Sequence, residues 1–329
     1  MPAPNPNAIF LRPTDYNEVK TTIMNLKKKC PGWDDVDALV VKETVALYIE
    51  PLTKIINLSL TEGIFPNELK TAKITPIYKS EDVTLVANYR PVSVLSVFSK
   101  ILERIMYTRI ISFINENNLL YKYQFGFRKG HSTEHALISL VDKISEELDS
   151  GKQVLGVFLD FSKAFDTVDH KILLSKLNHY GIRGPALNCV QSYLENILQY
   201  VLYNGVSSSR GLVKSGVPQG SVLGPLLYLI YVNDIANVSP NLLPILFADD
   251  TNVFLSGDSV DEMILTMNIE IKKITDWTVA NKLSINIKKT HYMIFTTKRR
   301  TVNTNNNITI NGKTIDKVEK TEFLGVITD

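Results

Sequence analysis

LPILFADDTNVFL, residues 243–255, decides how the chain is read. Two apolar runs, Leu243–Ala248 and Thr251–Leu255, flank the pair Asp249-Asp250. The pattern predicts a β-hairpin with both acids at its tip. A second run, Val154–Leu159, is short, apolar and β-branched, as in a strand buried on both faces, and it ends on Asp160. Aspartate is a poor strand residue, and adjacent carboxylates in apolar surroundings repel each other. Burying an unpaired charge costs on the order of several kcal/mol, so a compensating partner is expected. Mg²⁺ suits that place, because it takes hard oxygen ligands, few protein carboxylates and substrate phosphates. If the two strands lie side by side, the three carboxylates converge and hold two ions about 3.5–4 Å apart. On spacing alone, a plain polar hairpin turn remains the alternative.

Working outward, Thr14 is placed to cap a first helix whose apolar positions are Val19, Ile23 and Leu26; Lys27, Lys28 and Lys29 follow, and Pro31-Gly32 stops it. A helix is expected over Val40–Glu62, a strand over Ala72–Tyr78 and a long helix over Val92–Asn117. After Asp160 a helix with Ile172, Leu173, Leu177 and Tyr180 on one face closes at Gly181. Gln199–Tyr203 alternates as a strand. Ser221–Ile235 is apolar all round and reads as an interior helix. Asp261–Lys282 is a long helix with a stripe of Ile264, Met267, Ile271, Ile274 and Trp277. Short strands are expected at Leu283–Ile287, His291–Thr296, Ile308–Ile310, Lys313–Val318 and Phe323–Ile327. Asn311-Gly312 is a strong two-residue hairpin turn, and Thr301–Asn307 reads as a loop. The expected class is α+β, a mostly antiparallel sheet backed by helices.

Composition narrows the function classes. A 44% hydrophobic fraction over 329 residues supplies one large or two ordinary cores, which excludes a disordered tail, a collagen or a coiled coil. Cys30 and Cys189 match no metal-ligand spacing and are too few for a disulfide framework. MPAPNPNAIFLRP has no signal-peptide pattern, and the longest apolar run, Val222–Val232, is too short to span a membrane. With 36 basic and 34 acidic residues the net charge of +2 neither supports nor excludes a nucleic-acid partner. The acid-free basic run is Lys282, Lys288, Lys289, Lys298, Arg299 and Arg300, readable as phosphate contacts or as a solvated face. His131, His135, His170, His179 and His291 show no ligand spacing, and Asp166, Asp169 and Asp234 read as turn or cap residues.

VFLDFSKAFDTVDHKILLSKL (157–177), GVPQGSVLGPLLYLIYVNDI (216–235) and FADDTNVF (247–254) resemble consecutive catalytic-palm motifs of reverse transcriptases, in the non-LTR (LINE-type), jockey-like branch. PGWDD (31–35), YRPVSVLSVFSKILERI (89–105), QFGFRKGHSTEHAL (124–137), NKLSINIKKTHYMIF (281–295) and FLGVITD (323–329) follow in the family's order. The resemblance covers nearly the whole chain. It implies a right-hand polymerase, with an N-terminal helical extension at 1–70 and a reverse transcriptase domain at 71–329. Fingers are expected at about 71–153 and 182–215, and palm at about 154–181 and 216–329.

Carried over residue by residue, the resemblance makes Asp160, Asp249 and Asp250 the catalytic, metal-binding triad, completed by the backbone carbonyl of Phe161. Phe165 matches the aromatic under the incoming sugar, which leaves no room for a 2′-hydroxyl and so selects deoxynucleotides; from the residue alone, a core phenylalanine is the preferred reading. Gln219 falls where the family orients the nucleotide. Arg128 matches the arginine that grips the triphosphate, for which a planar bidentate donor is suited; its neighbours Phe125 and Phe127 suit template bases or the core. Lys289 matches a lysine near the triphosphate, a proton donor to leaving pyrophosphate. Phe323, Leu324 and Gly325 match the primer-supporting segment, and Tyr89 and Arg90 face template.

The implied activity is RNA-directed DNA polymerisation: two Mg²⁺ ions, with Mn²⁺ as a substitute, joining dNTPs to a DNA primer on an RNA template. The family also implies an intracellular setting, nucleus or cytoplasm. No endonuclease segment precedes the polymerase motifs, and the sequence stops at Asp329 before a thumb, so a fingers-and-palm fragment is expected. The rival expectations are a nucleic-acid-binding remnant that does not polymerise, and another palm enzyme such as an RNA-templated RNA polymerase or a mobile-intron maturase. Phe165 argues against RNA synthesis.

Overall fold

The computed structural model describes residues 3–27, 30–79, 82–297 and 304–328. Lys28, Lys29, Lys298, Arg299 and Arg300 of the basic runs, the first part of the expected 301–307 loop, and Asp329 lie outside the described residues. Helix α1 (Tyr16–Met24) buries Val19 and Ile23; its N-cap is Asp15, not Thr14, whose hydroxyl donates to Glu18 instead. The stretch expected as one helix over Val40–Glu62 is two, α2 (Ala38–Glu43) and α3 (Val45–Glu62), parted at Thr44, with left-handed Gly63 ending the second. Strand β1 (Thr71–Tyr78) follows as expected. The long helix expected from Val92 begins later. Tyr89–Leu95 is strand β2, and Ser96 caps helix α4 (Val97–Glu116), accepting from the Phe98 amide. Helix α5 (Thr133–Asp149) was not among the expected elements; Ser132 caps it, and Ala136 and Leu140 are its buried side.

Strand β3 (Gln153–Leu159) is buried at every position. Helices α6 (His170–His179), capped by Asp169 as expected, and α7 (Pro185–Leu194), with proline at its first turn, precede strands β4 (Leu198–Tyr203), β5 (Val206–Ser207) and β6 (Gly211–Leu212). Helix α8 (Gly224–Val232) is the buried interior helix. Strands β7 (Leu243–Phe247) and β8 (Asp250–Gly257) form the acidic hairpin, and α9 (Val260–Ala280) buries Ile264, Met267, Ile271 and Ile274. The end of the chain holds β9 (His291–Phe295), β10 (Thr309–Ile310), β11 (Lys313–Thr314), β12 (Asp316–Lys317), β13 (Thr321–Phe323) and β14 (Val326–Thr328).

Three expectations here are corrected. Leu283–Ile287 is a loop with one bridge, Phe161 to Ile285, because its backbone groups turn toward the end of β3. Lys313–Val318 is two short strands on different partners. Phe323–Ile327 is a hairpin, since Leu324 and Gly325 both take positive φ (51° and 84°) and reverse the chain. The Asn311-Gly312 turn stands as expected, at φ 51° and 76°.

The chain divides into two compact units. One comprises 120–167 and 232–329, the other 3–119 and 168–231. In the first, among the described residues, a five-stranded sheet runs β12-β9-β3-β8-β7, antiparallel except for β12 on β9. Val154 and Phe158 of β3 pack with Ala136 and Leu140 of α5, Ile245, Phe254, Phe295 and Phe323. The alternate residues Leu155 and Val157, also buried, face away from that cluster, and α9 packs against β3 and β8. In the second unit β1 is central to the sheet β2-β1-β4-β5, antiparallel to β2 and parallel to β4.

Candidate active site

Sheet register sets the geometry. β3 pairs antiparallel with β8 from Gln153↔Gly257 to Leu159↔Thr251. Continued by one step, the register sets Asp160 across from Asp250 at the open end of the sheet. β7 and β8 pair from Leu243↔Phe254 to Phe247↔Asp250, which leaves Ala248 and Asp249 as the two-residue turn. Ala248 sits at φ 58°, a left-handed conformation unusual for a side chain with a Cβ. Asp160 is half-buried, and Asp249 and Asp250 are exposed. This corrects the argument from buried charge: the acids stand at the rim, where water offsets their repulsion. Among the described residues no three His, Cys, Asp or Glu side chains are gathered closely enough to hold an ion. The donor set is nonetheless of the right kind, hard carboxylate oxygens at neighbouring sheet positions, open to phosphate ligands that would complete a Mg²⁺ shell.

The loop after α9 is fastened to Asp160. Asn286 N–H donates to Asp160 O (2.8 Å), Asp160 N–H donates to Thr290 Oγ1 (3.3 Å), and Ser162 N–H donates to Ser284 O (2.9 Å). This loop carries Lys289, exposed, whose carbonyl accepts from His291 Nδ1 at 3.0 Å. The other nitrogen of His291 lies 2.5 Å from Thr321 Oγ1, and its ring stacks on Phe158 at 5.3 Å and 13°. His291, unassigned from sequence, thus links the Lys289 loop to the β13–β14 hairpin. On that hairpin Phe323 is a core residue, packed on Phe158 at 6.4 Å, while Leu324 and Gly325 form the turn.

Phe161 is buried and bridges to Ile285. Phe165 is half-buried, edge-to-face with Phe127 at 6.0 Å and 89°. Arg128 Nη1 donates to the carbonyls of Tyr121 and Gln124, both at 3.0 Å, and burial pulls its guanidinium below the usual arginine range. Residues 123–125 run beside β7: Phe125 N–H donates to Leu246 O (2.8 Å) and Leu246 N–H to Tyr123 O (2.9 Å). Phe125 belongs to the core there. Asp160, Phe161, Phe165, Arg128, Lys289, Asp249, Asp250 and Phe323–Gly325 all belong to the first unit.

Gln219, Tyr89 and Arg90 belong to the second unit. Gln219 is half-buried, and its carbonyl accepts from Ser93 N–H of β2 at 2.7 Å. Gly220, at φ 110°, approaches β2 so closely that a Cβ would lie 2.6 Å from Ser93 O. Glu103, fully buried on α4, accepts from the Val222 and Leu223 amides at 2.7 and 3.0 Å, so the same segment is fixed at its far end. Tyr89 meets Tyr78 ring to ring at 5.7 Å and donates its hydroxyl to Val83 O.

The family described as reverse transcriptase (RNA-dependent DNA polymerase) matches residues 77–328. The chain belongs to the reverse transcriptase family. It is 33% identical over 327 residues to the RNA-directed DNA polymerase from mobile element jockey of Drosophila funebris, covering 96% of this chain and 35% of that protein. To the probable RNA-directed DNA polymerase from transposon BS of Drosophila melanogaster it is 31% identical over 330 residues, 97% of this chain and 36% of the relative. A probable RNA-directed DNA polymerase from transposon X-element of the same fly is 31% identical over 306 residues. The chain spans about a third of the length of these relatives. Reverse transcriptases of non-LTR elements are thus what the motifs resembled and what the whole sequence matches. Among the described residues no helix is long and apolar enough to cross a membrane.

Proposed function

We propose that this chain is an RNA-directed DNA polymerase, adding dNTPs to a DNA primer 3′-hydroxyl on an RNA template. The observation that carries the reading is the register of β3 on β8, which sets Asp160 beside an exposed acidic turn in a family of that activity. Asp160, Asp249 and Asp250, with the Phe161 carbonyl, would hold two Mg²⁺ ions, and bound ions lower the pKa of the attacking hydroxyl and neutralise charge on the leaving pyrophosphate. The chain's own residues do the rest. Arg128 and Lys289 steady the triphosphate, Lys289 also supplying a proton to the leaving group. Phe165 closes the space beside the sugar 2′-carbon, and Gln219 orients the nucleotide from a backbone tied to β2. Leu324 and Gly325 support the primer end, with Phe323 as the buried anchor of their turn, and Tyr89 and Arg90 meet the template. Fingers, palm, and a site in the nucleus or cytoplasm are part of the same reading.

Primer extension on a primed RNA, with Mg²⁺ or Mn²⁺, tests it. The parent chain should extend the primer, and Asp249→Asn should lose several orders of magnitude while melting at the same temperature or slightly higher, because carboxylate repulsion is relieved. An Asp249→Asn protein that extends at the parent rate refutes the site. Binding of primed RNA by a parent chain that extends nothing refutes the activity in favour of a binding role.

A further inference from the structure

Gln124 is buried, 1% exposed, on the segment that runs beside β7. Its side-chain Oε1 accepts two backbone N–H bonds, from Gly126 at 2.9 Å and from Ala248 at 3.2 Å. Two donors on one oxygen fix which way the amide faces. Nε2 is then turned inward, where it is buried and has no hydrogen-bond partner. An apolar side chain of similar length would fill that space without leaving a donor unpaired. What only the amide supplies is the acceptor for Ala248. That N–H belongs to the hairpin turn, outside the β7–β8 ladder, in a residue that holds a left-handed conformation despite its Cβ. The next two residues are Asp249 and Asp250. Gly126 completes the arrangement by having no side chain: a Cβ there would fall 2.1 Å from Ala248 N.

We propose that Gln124 is a positioning residue for nucleotide addition: its side-chain carbonyl holds the Ala248 amide and so fixes the left-handed turn from which Asp249 and Asp250 project. The proposal rests on the polymerase reading of those two carboxylates. It differs from core filling in one respect, because the acceptor oxygen matters and the volume does not.

Gln124→Met keeps the length and removes the acceptor. In single-nucleotide addition its kcat should fall about 10- to 100-fold, as expected for a displaced reacting group, with KM for the dNTP changed by less than about threefold. Adding Ala248→Gly should return at least about fivefold of that loss, since glycine enters the left-handed region unaided. Independently of activity, amide exchange of the 247–250 turn should quicken at least about tenfold in Gln124→Met and stay near the parent rate in Gln124→Glu, which keeps an acceptor at the same reach. Exchange unchanged in the methionine variant, a kcat within about twofold of the parent, or no recovery on adding Ala248→Gly to a folded Gln124→Met overturns the proposal. If the methionine variant does not fold, Gln124→Glu alone decides, and loss of turn protection in it overturns the assignment. A parent chain that extends no primer refutes the polymerase reading, while the exchange comparison still judges the clamp.

Discussion

Gly126→Ala is a one-carbon change aimed at the acidic turn. The added Cβ would lie 2.1 Å from Ala248 N, 2.7 Å from Ala248 Cα and 2.9 Å from Phe247 C, all backbone atoms that no rotamer change can move aside. Non-bonded heavy atoms settle near about 3.5 Å, so the first contact alone demands a separation of about 1.4 Å. Gly126 has little room to retreat, because Phe125 is packed in the core with its amide on Leu246, and Arg128 is tied to the carbonyls of Tyr121 and Gln124. β8 is held to β3 from Thr251 onward. The displacement therefore falls on residues 248–250. Overpacking of this size costs about 1–3 kcal/mol of stability, or a few degrees of melting temperature. A shift of about 1 Å at reacting groups costs about 100-fold in rate. Single-turnover primer extension across a dNTP titration, paired with thermal melting, separates the two effects. Gly126→Ala should lose about 100-fold in rate while remaining folded at the assay temperature. Gly211→Ala, where a Cβ meets nothing within 4 Å, should match the parent in both. A folded Gly126→Ala that extends within about threefold of the parent would mean that the position of the turn does not govern the chemistry.

Two further outcomes are expected. Phe165→Val removes a ring now packed edge-on to Phe127, and should raise the ratio of ribo- to deoxynucleotide incorporation about tenfold or more without raising the overall rate; an unchanged ratio in an active variant makes Phe165 a core residue only. Burial pushes the Glu103 carboxyl above its usual range despite the amides of Leu223 and Val222, Ser99 and the charge of Lys100, and Tyr193 faces it from α7. A raised carboxyl contributes stability that is complete below the ordinary value and lost as pH rises through the raised one, so Glu103→Gln should flatten the decline of melting temperature with pH above about 4.5, and parallel curves would refute this.

Most of the sheet was legible in the sequence for a physical reason: a strand covered on both faces must be apolar at successive positions, and Val154–Leu159 is. The α9 stripe and the Asn311-Gly312 turn were equally plain, because each depends on a local rule. Boundaries failed where an apolar run crosses from one element to another. YRPVSVLSVFSKIL is continuous in hydrophobicity, and only Ser96 marks the change from β2 to α4. In Leu283–Ile287 the alternation of apolar and polar residues imitates a strand, but the backbone partners are at Asp160, Phe161 and Ser162 rather than along a ladder. At Leu324-Gly325 the sequence offers a single glycine between apolar residues that continue a strand pattern, and the left-handed backbone that reverses the chain shows only in the structure.

The candidate site divides along the same line. Asp160, Asp249 and Asp250 stand out by type, since carboxylates interrupting apolar strands need an explanation, and burial does not supply it for Asp249 and Asp250, which are exposed. Exposure is what a site for a charged nucleotide requires: acids sunk in the core would be neutralised before they met a phosphate. The cost of burial falls elsewhere, on the neutral amide of Gln124, and nothing local announces it. Its decisive bond reaches a residue 124 positions along the chain, so no window of sequence contains both partners. Ala248 makes the same point from the other side. Glycine would adopt the turn at no steric cost, yet it would also leave the turn free to abandon that conformation. An alanine held there by a side chain from another segment costs more to form and is better defined once formed, and definition of the carboxylates is what orders a reaction between two anions.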